Sequence, residues 1–310
     1  MKQLSQANDL NNNRKVCLAI GMFDGVHLGH QKVLQNAINA ASQSDAISVA
    51  VTFDQHPANI ISPKNAPSLI QTQAQRNRSI ELLGVDALLI IKFNEAFSRK
   101  SGKSFIQELA QGFGSIHSIS VGNDFMFGHN RDGNFQLLQK LSQELNFLTY
   151  GLQPVKLNGQ IVSSTRIRSA LINGKIDDAK QMLGRKFSIE GPVVKGDGKG
   201  RKIGFPTANI PTTSDLQVPA DGVYAAWYIR EDGKEYPAAV NIGKRPTFYD
   251  DADKSLIEAH LIGFRGDLYG ESAKVRFVRR LRGERKFEGI EPLKEQLAKD
   301  VADASKCLSD

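Results

Sequence analysis

Gly21-Met22-Phe23-Asp24-Gly25-Val26-His27-Leu28-Gly29-His30, GMFDGVHLGH, follows an apolar run from Val16 to Ile20 and leads into a helical pattern. Its three glycines permit tight turns and let a ligand approach the backbone. Its two histidines can donate to a phosphate or bind a metal. Three readings compete: a phosphate cradle, a metal site, or a bare turn. A helix start offers free N–H groups and partial positive charge, which suits an anion. His27 and His30, three apart, fall on one helix face. The metal reading needs a third ligand, and no other Cys/His cluster in the chain has zinc spacing. A bare turn uses the glycines and gives no reason for both histidines. No Gly-x4-Gly-Lys-Ser/Thr run occurs, so the stretch is not a P-loop.

Outward from this stretch, strand-like and helical patterns alternate. Strands are expected at Lys15–Ile20, Ile47–Phe53, Ala87–Phe93, Ile116–Val121 and Phe147–Tyr150. Helices are expected near His30–Ala41, Leu69–Leu83, Ser104–Phe113 and Asn134–Leu145. The alternation implies a parallel sheet with helices on both faces, and ligands bind beyond the carboxyl ends of such strands. A further helix should start after Ser163-Ser164-Thr165, whose hydroxyls can cap it. Beyond residue 185 the pattern changes to short runs between turns: Phe187–Ile189, Gly222–Ile229, Ala238–Ile242, Leu256–Ile262 and Ala273–Phe277, with a hairpin signal at Asp232-Gly233. These suggest a small β-barrel or sandwich. Leu293, Leu297, Val301 and Ala304 then predict one amphipathic helix over Glu291–Leu308, packed on it.

The bulk properties agree with two domains: 310 residues, 40% hydrophobic and 24% charged. We expect a leader at 1–13, read as disordered because it is polar, then domains at 14–185 and 186–310. No apolar run is long enough to span a bilayer, and the leader lacks the apolar core of a secretory signal. Two cysteines, Cys17 and Cys307, exclude a disulfide framework and suit a cytoplasmic setting. The net charge is +7, of which residues 1–185 carry +6, from 19 Lys+Arg against 13 Asp+Glu. No basic run is interleaved with aromatics, so the charge suits a small polyphosphate better than a nucleic acid. A functionally silent basic surface would look the same.

Other stretches are ambiguous when read alone. Ser163-Ser164-Thr165-Arg166-Ile167-Arg168 is a second phosphate site at a helix start, or an ordinary capped helix. Gly196, Gly198, Gly200 and Gly204, with Lys195, Lys199, Arg201 and Lys202, form a loop able to close over phosphates, or a solvated hairpin tip. Pro206-Thr207-Ala208-Asn209 reads as a turn. Strand alternation puts Leu256, Glu258 and His260 on one face, where Glu258 is a candidate base or a surface residue. Arg245, Arg279 and Arg282 could pair with acids or approach a ligand.

Taken in order, the motifs resemble a known family. GMFDGVHLGH is similar to the HxGH-containing motif of nucleotidyltransferases, in the form found in bacterial bifunctional riboflavin kinase/FAD synthetases. TFDQHP (52–57), VGNDFMFGHNRDG (121–133), SSTRIR (163–168), GRKIGFPTANI (200–210), GVYAAW (222–227), NIGKRPTF (241–248), EAHLIGFRGDLYG (258–270) and VRFVRRLRGERKF (275–287) follow in the same order. The resemblance implies a Rossmann-like α/β nucleotidyltransferase (FMN adenylyltransferase) domain, then a riboflavin kinase-like β-barrel with a terminal helix. It implies ATP, riboflavin and FMN as substrates, FAD as product and Mg²⁺ as cofactor, with no nucleic-acid, membrane or protein partner. For adenylyl transfer it implies ATP contacts at Gly21, Phe23, Asp24, His27, Gly29, His30, Ser163, Ser164, Thr165, Arg166 and Arg168, and flavin contacts at Asn123 and Asp124. For the kinase it implies ATP contacts at Gly198, Gly204, Pro206, Thr207 and Asn209. Thr207 and Asn209 would also hold the metal, and Glu258 would be the general base. Two positions depart from the usual form. Gln55 stands where the family has proline, which should loosen that loop. Gly263 stands for aspartate. His56 lines the site or caps the strand end. The rivals are a chain with one working module and a flavin-binding protein without turnover.

Overall fold

A computed structural model describes residues 1–11, 13–244 and 255–309. The chain forms two compact units, Met1–Ser164 and Thr165–Asp310.

The first unit runs β1 (Lys2–Leu4), β2 (Val16–Ile20), α1 (Leu28–Gln43), β3 (Ile47–Phe53), α2 (Ala58–Ile61), α3 (Gln73–Glu81), β4 (Ala87–Ile91), α4 (Glu95–Ser98), α5 (Gly102–Phe113), β5 (Ile116–Gly122), α6 (Phe135–Leu145) and β6 (Leu148–Leu152), followed by a short hairpin, β7 (Lys156–Leu157) and β8 (Gln160–Ile161). Six parallel strands lie in the order β1-β4-β3-β2-β5-β6. Both faces are covered, as the apolar strands require. Cys17 and Ala19 of β2 face α1 and α3 through Leu34, Ala37 and Ile80. Leu18 and Ile20 face α5 and α6 through Phe105, Leu109, Leu138 and Leu141. Helix starts are capped by side chains: Thr72 for α3, Ser101 for α5 and Asn134 for α6. From β2 the strand order advances one way through β3 and β4 and the other way through β5 and β6. The reversal between β2 and β5 opens a crevice beyond their carboxyl ends, where such sheets bind ligands.

The expected disordered leader is corrected here. Lys2–Leu4 adds a parallel edge strand to β4, and Leu4 and Leu10 are buried in the core. Two apolar side chains at the right positions offset the ordering cost of an otherwise polar segment.

The second unit begins earlier than the expected division near residue 185. It contains α7 (Ser164–Ile172, apart from its first residue) and α8 (Ile176–Leu183). Packing explains the shift: the Ala220 N–H donates to the Leu171 carbonyl, and the Arg280 side chain lies close against Gly174. Then follow β9 (Ser188–Pro192), α9 (Lys199–Lys202), β10 (Ala208–Pro211), β11 (Gly222–Ile229), β12 (Glu235–Lys244), β13 (Ser255–Leu261), β14 (Ser272–Arg282) and α10 (Ile290–Ser309). The antiparallel order is β10-β13-β12-β11-β14-β9. The Val194 N–H donates to the Asn209 carbonyl at 2.9 Å, nearly closing the barrel. Tyr224, Tyr228, Phe187 and Phe277 fill it. The tail helix α10 packs outside as expected, with Ala304 against Ala225 and Ala239.

Candidate active sites

In the first unit, the opening stretch leaves β2 and enters α1 at the crevice. The turn needs left-handed backbone at Phe23 (φ +52), Gly25 (φ +82) and Val26 (φ +39). Phe23 and Val26 remain there because both side chains are buried. Arg76, itself buried, holds the turn by donating to the carbonyls of Met22 at 3.3 Å and Phe53 at 2.6 Å. Burial lowers its pKa, and the Asp24 and Asp54 carboxylates push it back up.

His27 is the N-cap of α1; its Nδ1 accepts the His30 N–H at 3.3 Å. The two imidazoles stack at 3.6 Å between centroids, 17° from parallel. Phe23 meets the His30 ring edge-on at 5.5 Å. The His30 Nδ1 is enclosed and has no hydrogen-bond partner among the described residues. Burial, reinforced by the His27 ring, holds the His30 pKa well below the usual histidine range, so the ring is neutral at pH 7. Gly29 makes the stacking possible: a Cβ there would stand 3.1 Å from the His27 Cε1. At Gly21 a Cβ would stand 2.9 Å from the Phe23 ring.

The other expected contacts divide. Ser164 Oγ donates to the Asp24 carbonyl at 3.0 Å, so the SSTRIR segment starts beside the histidine turn. The Asp24 carboxylate points inward and accepts the Ile70 N–H at 2.9 Å. Ser163 is half-buried beside Ser164, while Thr165, Arg166 and Arg168 lie on α7 in the second unit. Asn123 and Asp124 are exposed in the turn directly after β5, at the same crevice. His56 accepts the Ala58 N–H at 3.1 Å and so caps the loop.

The second unit holds a cleft of about 240 Å³, lined by the glycine-rich loop, Thr207, Asn209, Asn241, Glu258, Tyr269 and Glu284. Cross-strand register brings Asn209 and Glu258 opposite each other. Alternation buries Ile257 and Ala259 in the barrel and turns Glu258 to the cleft. Gly198 (φ +67) and Gly204 (φ +91) bracket the loop. Gly198, Pro206 and Thr207 line the cleft; Gly204 is absent from its lining and serves the turn. His260 holds the loop from below, its Nδ1 2.8 Å from the Pro206 carbonyl and its ring against Phe205. The Asn209 Nδ2 donates to the Thr207 carbonyl at 3.3 Å, while its Oδ1 is buried without a partner among the described residues. An enclosed, unpaired amide oxygen beside a hydroxyl fits a hard cation. Among the described residues no group of three His, Cys, Asp or Glu could hold a metal.

Two family models match the chain in succession: FAD synthetase over residues 9–166 and riboflavin kinase over 183–308. The bifunctional riboflavin kinase/FMN adenylyltransferase of Bacillus subtilis is 37% identical over 299 residues, covering 95% of this chain and 93% of its own. That of Buchnera aphidicola is 36% identical over 290 residues, 93% of each. The chain belongs to the bifunctional riboflavin kinase/FMN adenylyltransferase family. A solved Streptococcus pneumoniae structure, named for a macrolide-efflux protein, matches with a TM-score of 0.85 and 29% identity over 96% of each chain. The likeness concerns the fold, and the efflux in that name stays with that protein. Among the described residues no helix is long and apolar enough to cross a membrane.

Within this bifunctional kinase/adenylyltransferase family, the two departures have local explanations. Gln55 does not leave its loop untethered: its Nε2 donates to the Phe93 carbonyl at 2.8 Å. Gly263 takes φ +76 in open space, which glycine adopts without strain. Arg282 pairs with Asp300, Arg279 is exposed, and Arg245 lies outside the described residues. Sequence reasoning missed Arg76, Asn241, Tyr269 and Glu284. Arg76 gave no signal, because it sits in a polar run, Gln73 to Ser79, with no apolar pattern to mark a core-facing side.

Proposed function

We propose that the chain makes FAD from riboflavin in two ATP-dependent steps, each in its own unit. What supports this reading is that the two units carry chemically different groups: two stacked imidazoles at a helix start in one, a carboxylate beside oxygen donors in the other. The difference matches the chemistry of each step.

Riboflavin's primary hydroxyl is a poor nucleophile until a base takes its proton. Glu258 accepts that proton as the oxygen attacks the γ-phosphorus of ATP; FMN and ADP result. Lys199 and Arg201 line the cleft and offset phosphate charge. Thr207 and Asn209 would hold Mg²⁺, which neutralises phosphate charge when bound.

FMN already carries an anionic phosphate, so the second step needs donors, not a base. Its oxygen attacks the α-phosphorus of a second ATP, forming FAD and releasing pyrophosphate. Because the His27 Nδ1 accepts a backbone N–H, Nε2 is the ring nitrogen that carries the proton and would donate to a phosphoryl oxygen. His30, kept neutral by burial, adds a second donor. The start of α1 contributes its dipole. Asn123 and Asp124 would meet the flavin across the crevice, and Ser163 and Ser164 the ATP phosphates. The setting is cytoplasmic in this reading, in keeping with two unpaired cysteines.

Incubation with riboflavin, ATP and Mg²⁺, followed by chromatography, tests the proposal. FMN should appear first and FAD with pyrophosphate after it; absence of both products contradicts catalysis.

A further inference from the structure

The barrel register sets an asparagine on each side of Glu258. Asn209 on β10 and Asn241 on β12 are both its cross-strand partners. Residues directly opposite share a face of the sheet, and all three line the cleft. The two carboxamides are used differently. Asn209 turns its Nδ2 to the Thr207 carbonyl. Asn241 turns its Nδ2 to the Glu258 Oε2 at 3.4 Å, a long contact of the kind catalytic groups make before substrate closes a site. Gly243, two residues along β12, keeps this corner open. A Cβ there would stand 2.5 Å from the Glu284 Oε1 and 3.6 Å from the Asn241 Nδ2.

We infer that Asn241 is a positioning residue for riboflavin phosphorylation: its amide fixes one oxygen of Glu258 and leaves the other aimed at the incoming hydroxyl. A half-buried carboxylate on a strand otherwise rotates about its last torsion, which is broad. Each rotation takes the accepting lone pair off the hydroxyl. The amide removes that freedom without touching the substrate, so its contribution belongs to turnover and not to binding. The inference rests on Glu258 being the base.

A double-mutant cycle tests it. Asn241→Leu should lower kcat for riboflavin phosphorylation by about tenfold, the worth of a hydrogen bond to a charged group. KM for riboflavin and ATP should stay within about twofold. In the Glu258→Gln background the same change should alter the residual kcat by less than about twofold, since the partner is gone. Asn241→Ser, which keeps a donor, should recover most of the loss; it is also the variant to use if thermal melting shows that leucine unfolds the barrel. If Glu258→Gln leaves no measurable turnover, the kcat–KM split and the serine rescue decide. Equal losses in both backgrounds, a raised KM with intact kcat, or no rescue by serine would overturn the inference. Full turnover in Glu258→Gln alone would instead strike the base assignment, and the positioning role with it.

Discussion

His30 shows how much one residue can carry. Its ring is neutral because it is buried against His27, and this has a consequence for stability. Unfolded, it would titrate near about 6.5. Below that pH the unfolded chain binds a proton that the folded chain refuses, so stability falls as acid is added and is whole above it. Replacing His30 with Gln should flatten the fall in Tm between pH 7.5 and 5.5; an unchanged slope would contradict the assignment. Gly29→Ala should push the His27 ring aside and slow FMN adenylylation by about tenfold or more, while riboflavin phosphorylation stays at the parent rate. FMN adenylylation at the parent rate in the variant would show that the stacking is dispensable. The histidines were legible in the sequence because spacing and a strand-to-helix setting are local. Asp24 was not. Its carboxylate serves Ile70, 46 positions away, and nothing in GMFDGVHLGH announces that partner.

The elements follow the same division. The long periodic helices and the β-branched strands fall within a few residues of where the pattern put them, as with β3 at Ile47–Phe53 and β11 at Gly222–Ile229. β1 and β10 were missed because three or four residues carry too little periodicity, and tertiary pairing decides them. The tail helix was legible; its anchor was not. Arg282 of β14 makes a bidentate pair with the buried Asp300 of α10, at 2.8 and 2.6 Å, and Gln296 donates to the same carboxylate. Asp300→Ala leaves that arginine without its partner, and chemical denaturation should show a loss of about 3 kcal/mol. In the glycine-rich loop, a Cβ on Gly200 would stand 2.3 Å from the Phe205 carbonyl, which is backbone and cannot yield cheaply. Gly200→Ala should therefore cost kinase turnover and spare adenylyl transfer.

At the scale of the molecule, two domains were legible from the change of pattern; the expected division near residue 185 lies beside the start of the riboflavin kinase match at 183, whereas compactness alone divides the chain after Ser164. α7 and α8 look like a continuation of the α/β series, yet they pack with the barrel unit through Leu171 and Gly174. Two units with separate chemistry mean that each reaction can be removed alone. His30→Ala should convert riboflavin to FMN and stop there. Glu258→Gln gives the most direct test of the whole account. Supplied with ATP, Mg²⁺ and either flavin, it should make FAD from FMN at the parent rate and FMN from riboflavin only at a small residual rate. If it phosphorylates riboflavin at the parent rate, or loses both reactions while remaining folded, the division of labour between the two sites is contradicted.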